Sequence, residues 1–102
     1  MKNILISIIV LIFSFEVFAQ TQQNRNFLFD GQNREYVIYI PAMYDGTQNV
    51  PLMFSFHGGG GTSTGFMNFE NDMRPISDTA GFIAIYPQAA VDPTDGLSLI
   101  HI

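Results

Sequence analysis

The chain contains no cysteine. Disulfide stapling, the usual support of a small secreted domain, is therefore excluded, as are a thiolate nucleophile and a thiolate metal ligand. Positive charge is nearly as scarce. Four Lys and Arg stand against nine Asp and Glu, for a net charge of −5. The single lysine, Lys2, lies at the extreme N-terminus, which leaves Arg25, Arg34 and Arg74 as the permanent cations of the rest. With no basic patch to neutralise phosphates, the sequence argues against nucleic acid as a partner and against anionic membrane surfaces. Metal sites have no support either. His57 and His101 share no ligand spacing, and Asp92 and Asp95 lack the loop that a calcium site requires.

The first apolar run is Ile4 to Phe15, behind the basic stretch Met1-Lys2-Asn3 and ahead of Glu16-Val17-Phe18-Ala19. It is too short for an ordinary spanning helix. Its flanks fit a secretory signal peptide over residues 1–19, with Val17 and Ala19 at the small-residue positions and Gln20 as the new N-terminus. The expected location is therefore secreted or periplasmic, with no membrane contact after cleavage. The alternative is a retained anchor.

Residues 20–102 can supply one small core at most. Gln20 to Asn26 is polar and reads as a loose lead-in. Residues 27–29 and 34–40, separated by Asp30-Gly31-Gln32-Asn33, read as a β-hairpin whose second strand is apolar on both faces. Pro51 to Phe56 is continuously apolar apart from Ser55, which predicts an interior strand. Phe66, Phe69, Met73, Ile76 and Ala80 recur at helical spacing. Pro75 divides them into a turn at 66–70 and a helix opening near Asp72 as N-cap and ending at Gly81. Phe82 to Tyr86 predicts another buried strand, stopped by Pro87. Strand, helix and strand make a right-handed parallel βαβ unit, so the class is α/β with an antiparallel hairpin leading in. Beyond about residue 89 no periodicity is visible.

His57 and the four glycines Gly58 to Gly61 follow the 51–56 strand directly. Such a run leaves backbone N–H groups uncovered and able to receive negative charge. A phosphate loop of Walker type fails because it needs a lysine. A dinucleotide fingerprint fails because Thr62-Ser63-Thr64-Gly65 makes a loop rather than an immediate helix. A histidine with glycines after the third strand does match the loop that builds part of the oxyanion hole in esterases.

Taken in order, Arg34 to Pro41, Tyr44-Asp45-Gly46, Pro51-Leu52, His57 to Gly61, Asp78 to Phe82 and Tyr86-Pro87 resemble the N-terminal part of secreted α/β-hydrolase esterases related to polyhydroxybutyrate depolymerases and feruloyl esterases. The resemblance runs from Phe27 to Gln88. It implies the N-terminal segment of an α/β-hydrolase fold over residues 20–102, with an atypical tail, and a serine carboxylic ester hydrolase that needs no cofactor. Its substrate would be an ester, including polymeric ones such as polyesters or plant polysaccharides. Backbone amides of Gly58, Gly59 and Gly60 would hold the oxyanion, and His57 would shape the loop rather than act as base, because in this fold the base follows the nucleophile. Tyr86, at the C-terminal end of its strand, would border the substrate site. No serine stands in a complete G-x-S-x-G: Gly96-Leu97-Ser98-Leu99-Ile100 lacks the second glycine. Nucleophile, acid and base have no candidates here, so the sequence reads as a fragment that is inactive alone. A secreted peptidase of the same fold and a non-catalytic binding or structural module are the alternative readings.

Overall fold

The computed structural model describes residues 19–92 and 96–98; the signal-peptide expectation, residues 93–95 and His101 lie outside them. A four-stranded mixed sheet forms the centre, in the order β1-β2-β4-β3. Strands β1 (Thr21–Phe29) and β2 (Gln32–Ile40) pair antiparallel from Thr21↔Ile40 to Phe29↔Gln32. The register leaves a two-residue loop, Asp30-Gly31, with φ of 51° and 71°. Positive φ at both central positions is the type I′ requirement, and Asp-Gly is among the sequences that meet it. The turn is thus tighter than the 30–33 expected. The polar stretch 21–26, expected to be a loose lead-in, is strand: the hairpin register carries pairing through residues whose side chains show no pattern.

β2 then pairs antiparallel with β4 (Ile83–Pro87), and β3 (Leu52–Phe54) pairs parallel with β4. The expected βαβ unit and its hairpin entry are present. Two details differ. β4 runs through Pro87 instead of stopping before it. β3 is an edge strand among the described residues, with Leu52, Met53 and Phe54 all exposed, rather than an interior one.

Between β3 and β4 the chain winds through α1 (Ser63–Gly65), a π-helical stretch Phe66–Glu70 and α2 (Arg74–Ala80). Thr62 caps the first turn, its hydroxyl accepting from Gly65 N at 3.0 Å. The π-turn closes with Asn71 N–H donating to Phe66 O at 2.8 Å, an i to i+5 bond. This wider turn displaces the buried face. Met67 and Ser77 are fully buried, Phe66 and Met73 partly so, while Phe69 is 87% exposed and Ile76 50% exposed. The evenly spaced face expected from Phe66 to Ala80 is therefore replaced by one that changes phase at 66–73. α2 opens at Arg74 with Met73 as the capping position and Pro75 in its first turn. Asp72, the expected N-cap, stands one residue earlier and accepts from Arg74 N at 3.1 Å. Gly81 ends the helix in the left-handed conformation, φ 77°.

These helical turns all cover one face of the sheet. Val37, Tyr39, Ala84 and Tyr86 pack there with Met67 and Phe82. On the opposite face Tyr36, Ile38 and Ile85 join Phe27, Phe29, Phe54 and Phe56 around an apolar groove of ≈ 490 Å³. β2 is thus fully covered on one face only. Beyond β4, β5 (Ala90–Asp92) and β6 (Gly96–Ser98) pair antiparallel as a short ribbon that the sequence pattern did not reveal. No helix among the described residues is long and apolar enough to cross a membrane.

Candidate active site

The parallel ladder of β3 extends one residue past the strand, where Ser55 N donates to Ile85 O at 2.9 Å. The chain then leaves the sheet at its C-terminal end, the edge where open α/β sheets bind ligands. His57 is the last anchored residue before the glycines and is 1% exposed. Ala89 N–H donates to its Nε2 at 2.9 Å. Because Nε2 accepts, the ring proton sits on Nδ1, which donates to Gly58 O at 2.7 Å. Both ring nitrogens are engaged by backbone, so neither is free to take a proton from a nucleophile.

Gly58 to Gly61 form a β-turn closed by Gly61 N–H donating to Gly58 O at 3.1 Å. Gly60 has φ 75°, the positive value that a type II turn demands at its third position. The Gly58 carbonyl thus accepts from two donors of the chain. The amides of Gly58, Gly59 and Gly60 behave oppositely: they have no acceptor among the described residues, and all three residues are exposed. They border an open concavity of ≈ 510 Å³ whose wall also includes Thr62, Gly65, Phe66, Phe69 and Glu70. A Cβ at Gly58 or Gly59 would meet nothing within 4 Å, while one at Gly61 would stand 3.2 Å from Gly58 O. Exposed donors without an acceptor among the described residues, with their neighbouring carbonyl fixed by His57, form a surface that favours an anion.

Tyr86 does not join this group. It is fully buried, and its hydroxyl accepts from Met73 N and donates to Asn71 O, both at 2.8 Å. Burial raises its pKa above the ordinary tyrosine value. This corrects the expectation that Tyr86 borders a substrate: it ties the 71–73 link to the sheet. The aromatic residue standing exposed in the wall is Phe69, which helical periodicity had assigned to the core.

The hydroxyls of Ser55 and Ser77 are also committed. Ser55 Oγ accepts from Asn71 Nδ2 at 3.1 Å. Ser77 Oγ donates to Phe82 O from a fully buried position. Ser63 is buried with its backbone N–H donating to Gln88 Oε1 at 2.7 Å. Ser98 closes the short β5–β6 ribbon. Among the described residues no serine is hydrogen-bonded to a histidine, and no group of His, Asp and Glu could hold a metal ion. The sequence reading missed Gln88 and Ala89, whose contacts reach the glycine loop across the end of the sheet. Thr62-Ser63-Thr64-Gly65, read from the sequence as a loop, instead opens the short helix α1, with Thr62 as its cap.

No protein-family model matches the chain, and no curated protein does. Among solved structures it is similar to S-formylglutathione hydrolase from Staphylococcus aureus, solved as the apoenzyme, with a TM-score of 0.52 and 17% sequence identity. The alignment covers 78% of this chain and 36% of that one. At this identity the likeness shows the fold: a mixed sheet with flanking helices that forms part of an α/β-hydrolase fold. The chain spans little more than a third of the structure that it matches.

Proposed function

We propose that the glycine loop is the donor side of an oxyanion hole, and that the chain is the N-terminal segment of a serine carboxylic ester hydrolase. The observation that carries this reading is the set of three adjacent amides, Gly58 to Gly60, without an acceptor among the described residues and in residues that line an open concavity. Donors held in place before the charge develops each contribute roughly 3 kcal/mol to the tetrahedral transition state. The fold supports the same reading, because in α/β-hydrolases the loop after the third strand supplies this half of the hole. The other donor, and the attacking serine, belong to an elbow of the G-x-S-x-G type. The acyl-enzyme chemistry would then follow the usual two steps, with a carboxylic ester as substrate, polymeric esters included.

The reading includes export, with residues 1–19 removed and Gln20 leading the mature chain. Intact-mass measurement of the secreted product checks that directly.

The decisive test is to sequence the DNA beyond the Ile102 codon. An elbow motif, in frame or shifted, is expected there. In the polypeptide completed with it, Gly59→Ala should lower kcat on p-nitrophenyl butyrate, because the methyl group would stand where the acyl group binds. Absence of any such motif, or unchanged ester turnover in the variant, overturns the proposal. Cleavage of peptides in place of esters would assign the peptidase chemistry of the same fold.

A further inference from the structure

We infer that Gln88 and Ala89 are positioning residues that clamp the glycine loop at both of its ends, an inference that rests on the oxyanion reading above. The loop between β3 and α1 starts at His57 and ends at Ser63. The two residues that follow β4 touch those two points. Ala89 N–H donates to His57 Nε2 at 2.9 Å. Gln88 Oε1 accepts from Ser63 N–H at 2.7 Å. The partner is a donor, so the carboxamide oxygen must face it, which fixes the orientation of the Gln88 side chain. Gln88 is itself held to the sheet, its own N–H donating to Glu35 O at 2.9 Å. A continuous set of bonds therefore runs from β2 through Gln88 to the start of α1, and from Ala89 through the imidazole to the Gly58 carbonyl.

The need for such a clamp follows from the loop's composition. Glycine has the largest backbone freedom of any residue, and four in succession sample many arrangements unless their ends are fixed. Amides stabilise a developing charge only if they are held in place before it forms. All three free amides lie between the two clamped points. His57 alone fixes one end of the run. Gln88 fixes the other through a side chain that no motif around the glycines contains.

The test is made on the full chain, labelled with 15N. Gln88→Leu removes the acceptor, and Gln88→Glu retains an oxygen at the same reach. In Gln88→Leu, amide exchange at Ser63 should rise roughly tenfold, the loss expected for one hydrogen bond. The Gly58 to Gly60 amide resonances should move with it, while exchange in β2 and β4 stays unchanged. Gln88→Glu should restore both. Unchanged Ser63 exchange in Gln88→Leu overturns the clamp. Equal acceleration across β2 and β4 also overturns it, as does a wild-type chain without protected strand amides. Phenylphosphonate, a tetrahedral anion, separates this outcome from the parent reading. If it leaves the wild-type Gly58 to Gly60 resonances unmoved, the oxyanion role fails while the clamp stands. If it moves them in wild type and Gln88→Glu but less in Gln88→Leu, both stand.

Discussion

Replacing Tyr86 with Phe isolates the energy of a single hydroxyl. The ring packs among Val37, Tyr39, Met67, Phe82 and Ala84, in a T-shaped contact with Phe66 at 6.5 Å between centroids. Phe keeps that packing and loses only the oxygen. Two bonds of 2.8 Å disappear with it, one from Met73 N–H and one to Asn71 O. Each contributes about 0.5–1.5 kcal/mol net, and a polar group left unpaired costs more when water cannot reach it. Met73 and Asn71 are only half-buried, so water compensates in part, and the sum is about 2 kcal/mol. Urea denaturation of residues 20–102 should show the midpoint falling by about 1 M at an unchanged slope, since domains of this size lose roughly 1–3 kcal/mol per molar urea. Tyr39→Phe is the control. Its hydroxyl donates to Asp78 carboxylate oxygens at 2.8 and 3.0 Å, but Asp78 is exposed, so the loss should be about 1 kcal/mol or less. A Tyr86→Phe loss below about 0.5 kcal/mol, or one no larger than the control's, would refute the view that this hydroxyl fastens the 71–73 link.

Other outcomes follow from the same geometry. Gly60→Ala places a methyl group at φ 75° and should cost about 1–2 kcal/mol in thermal or urea unfolding, whereas Gly59→Ala, with open space around it, should be nearly silent. Stability should fall as pH rises between about 10 and 12. Burial and the Asp78 carboxylate raise the Tyr39 pKa from 10.0 to about 12, so the folded state holds a proton that the unfolded state releases first. Unfolding midpoints measured across that pH range, with tyrosinate absorbance following the titration, check the sign: a flat profile across that window contradicts it. Phe54, at 51% exposure, stacks on Phe56 at 6.4 Å beside the open apolar groove. Phe54→Lys should therefore reduce self-association in light scattering without lowering the unfolding midpoint, and an unchanged molecular weight together with an associating wild type would place the contact elsewhere.

Composition and local pattern carried much of the fold. Arg34 to Ile40 and Phe82 to Tyr86 were legible as strands because β-branched and aromatic residues run through them without breakers. The Gly81 stop was legible because its role is purely conformational. Gln22 to Asn26 was not, because pairing across a two-residue turn, rather than side-chain alternation, makes that stretch a strand. Among the described residues β3 stands at the sheet edge where an interior strand was expected, because an apolar composition reports what its faces prefer, not which neighbours its backbone finds. Phe69 and Ile76 were assigned to the core because a 3.6-residue period cannot anticipate a π-turn. Tyr86 was assigned to the site because strand position says where a residue ends up along the sheet, not which face its side chain enters. In the candidate site itself the glycines and His57 were visible, whereas Gln88 and Ala89 lie 25 residues and more from the groups that they hold.

The bond from Ala89 to His57 has a consequence for how this loop can vary. Its donor is a main-chain N–H, so every residue except proline carries it. Position 89 can change identity among small side chains, with Ala89 4% exposed, and still deliver the same contact. Proline would delete the donor outright and strand the imidazole lone pair. What holds the histidine is therefore recorded in the sequence as a prohibition on one residue type rather than a preference for another.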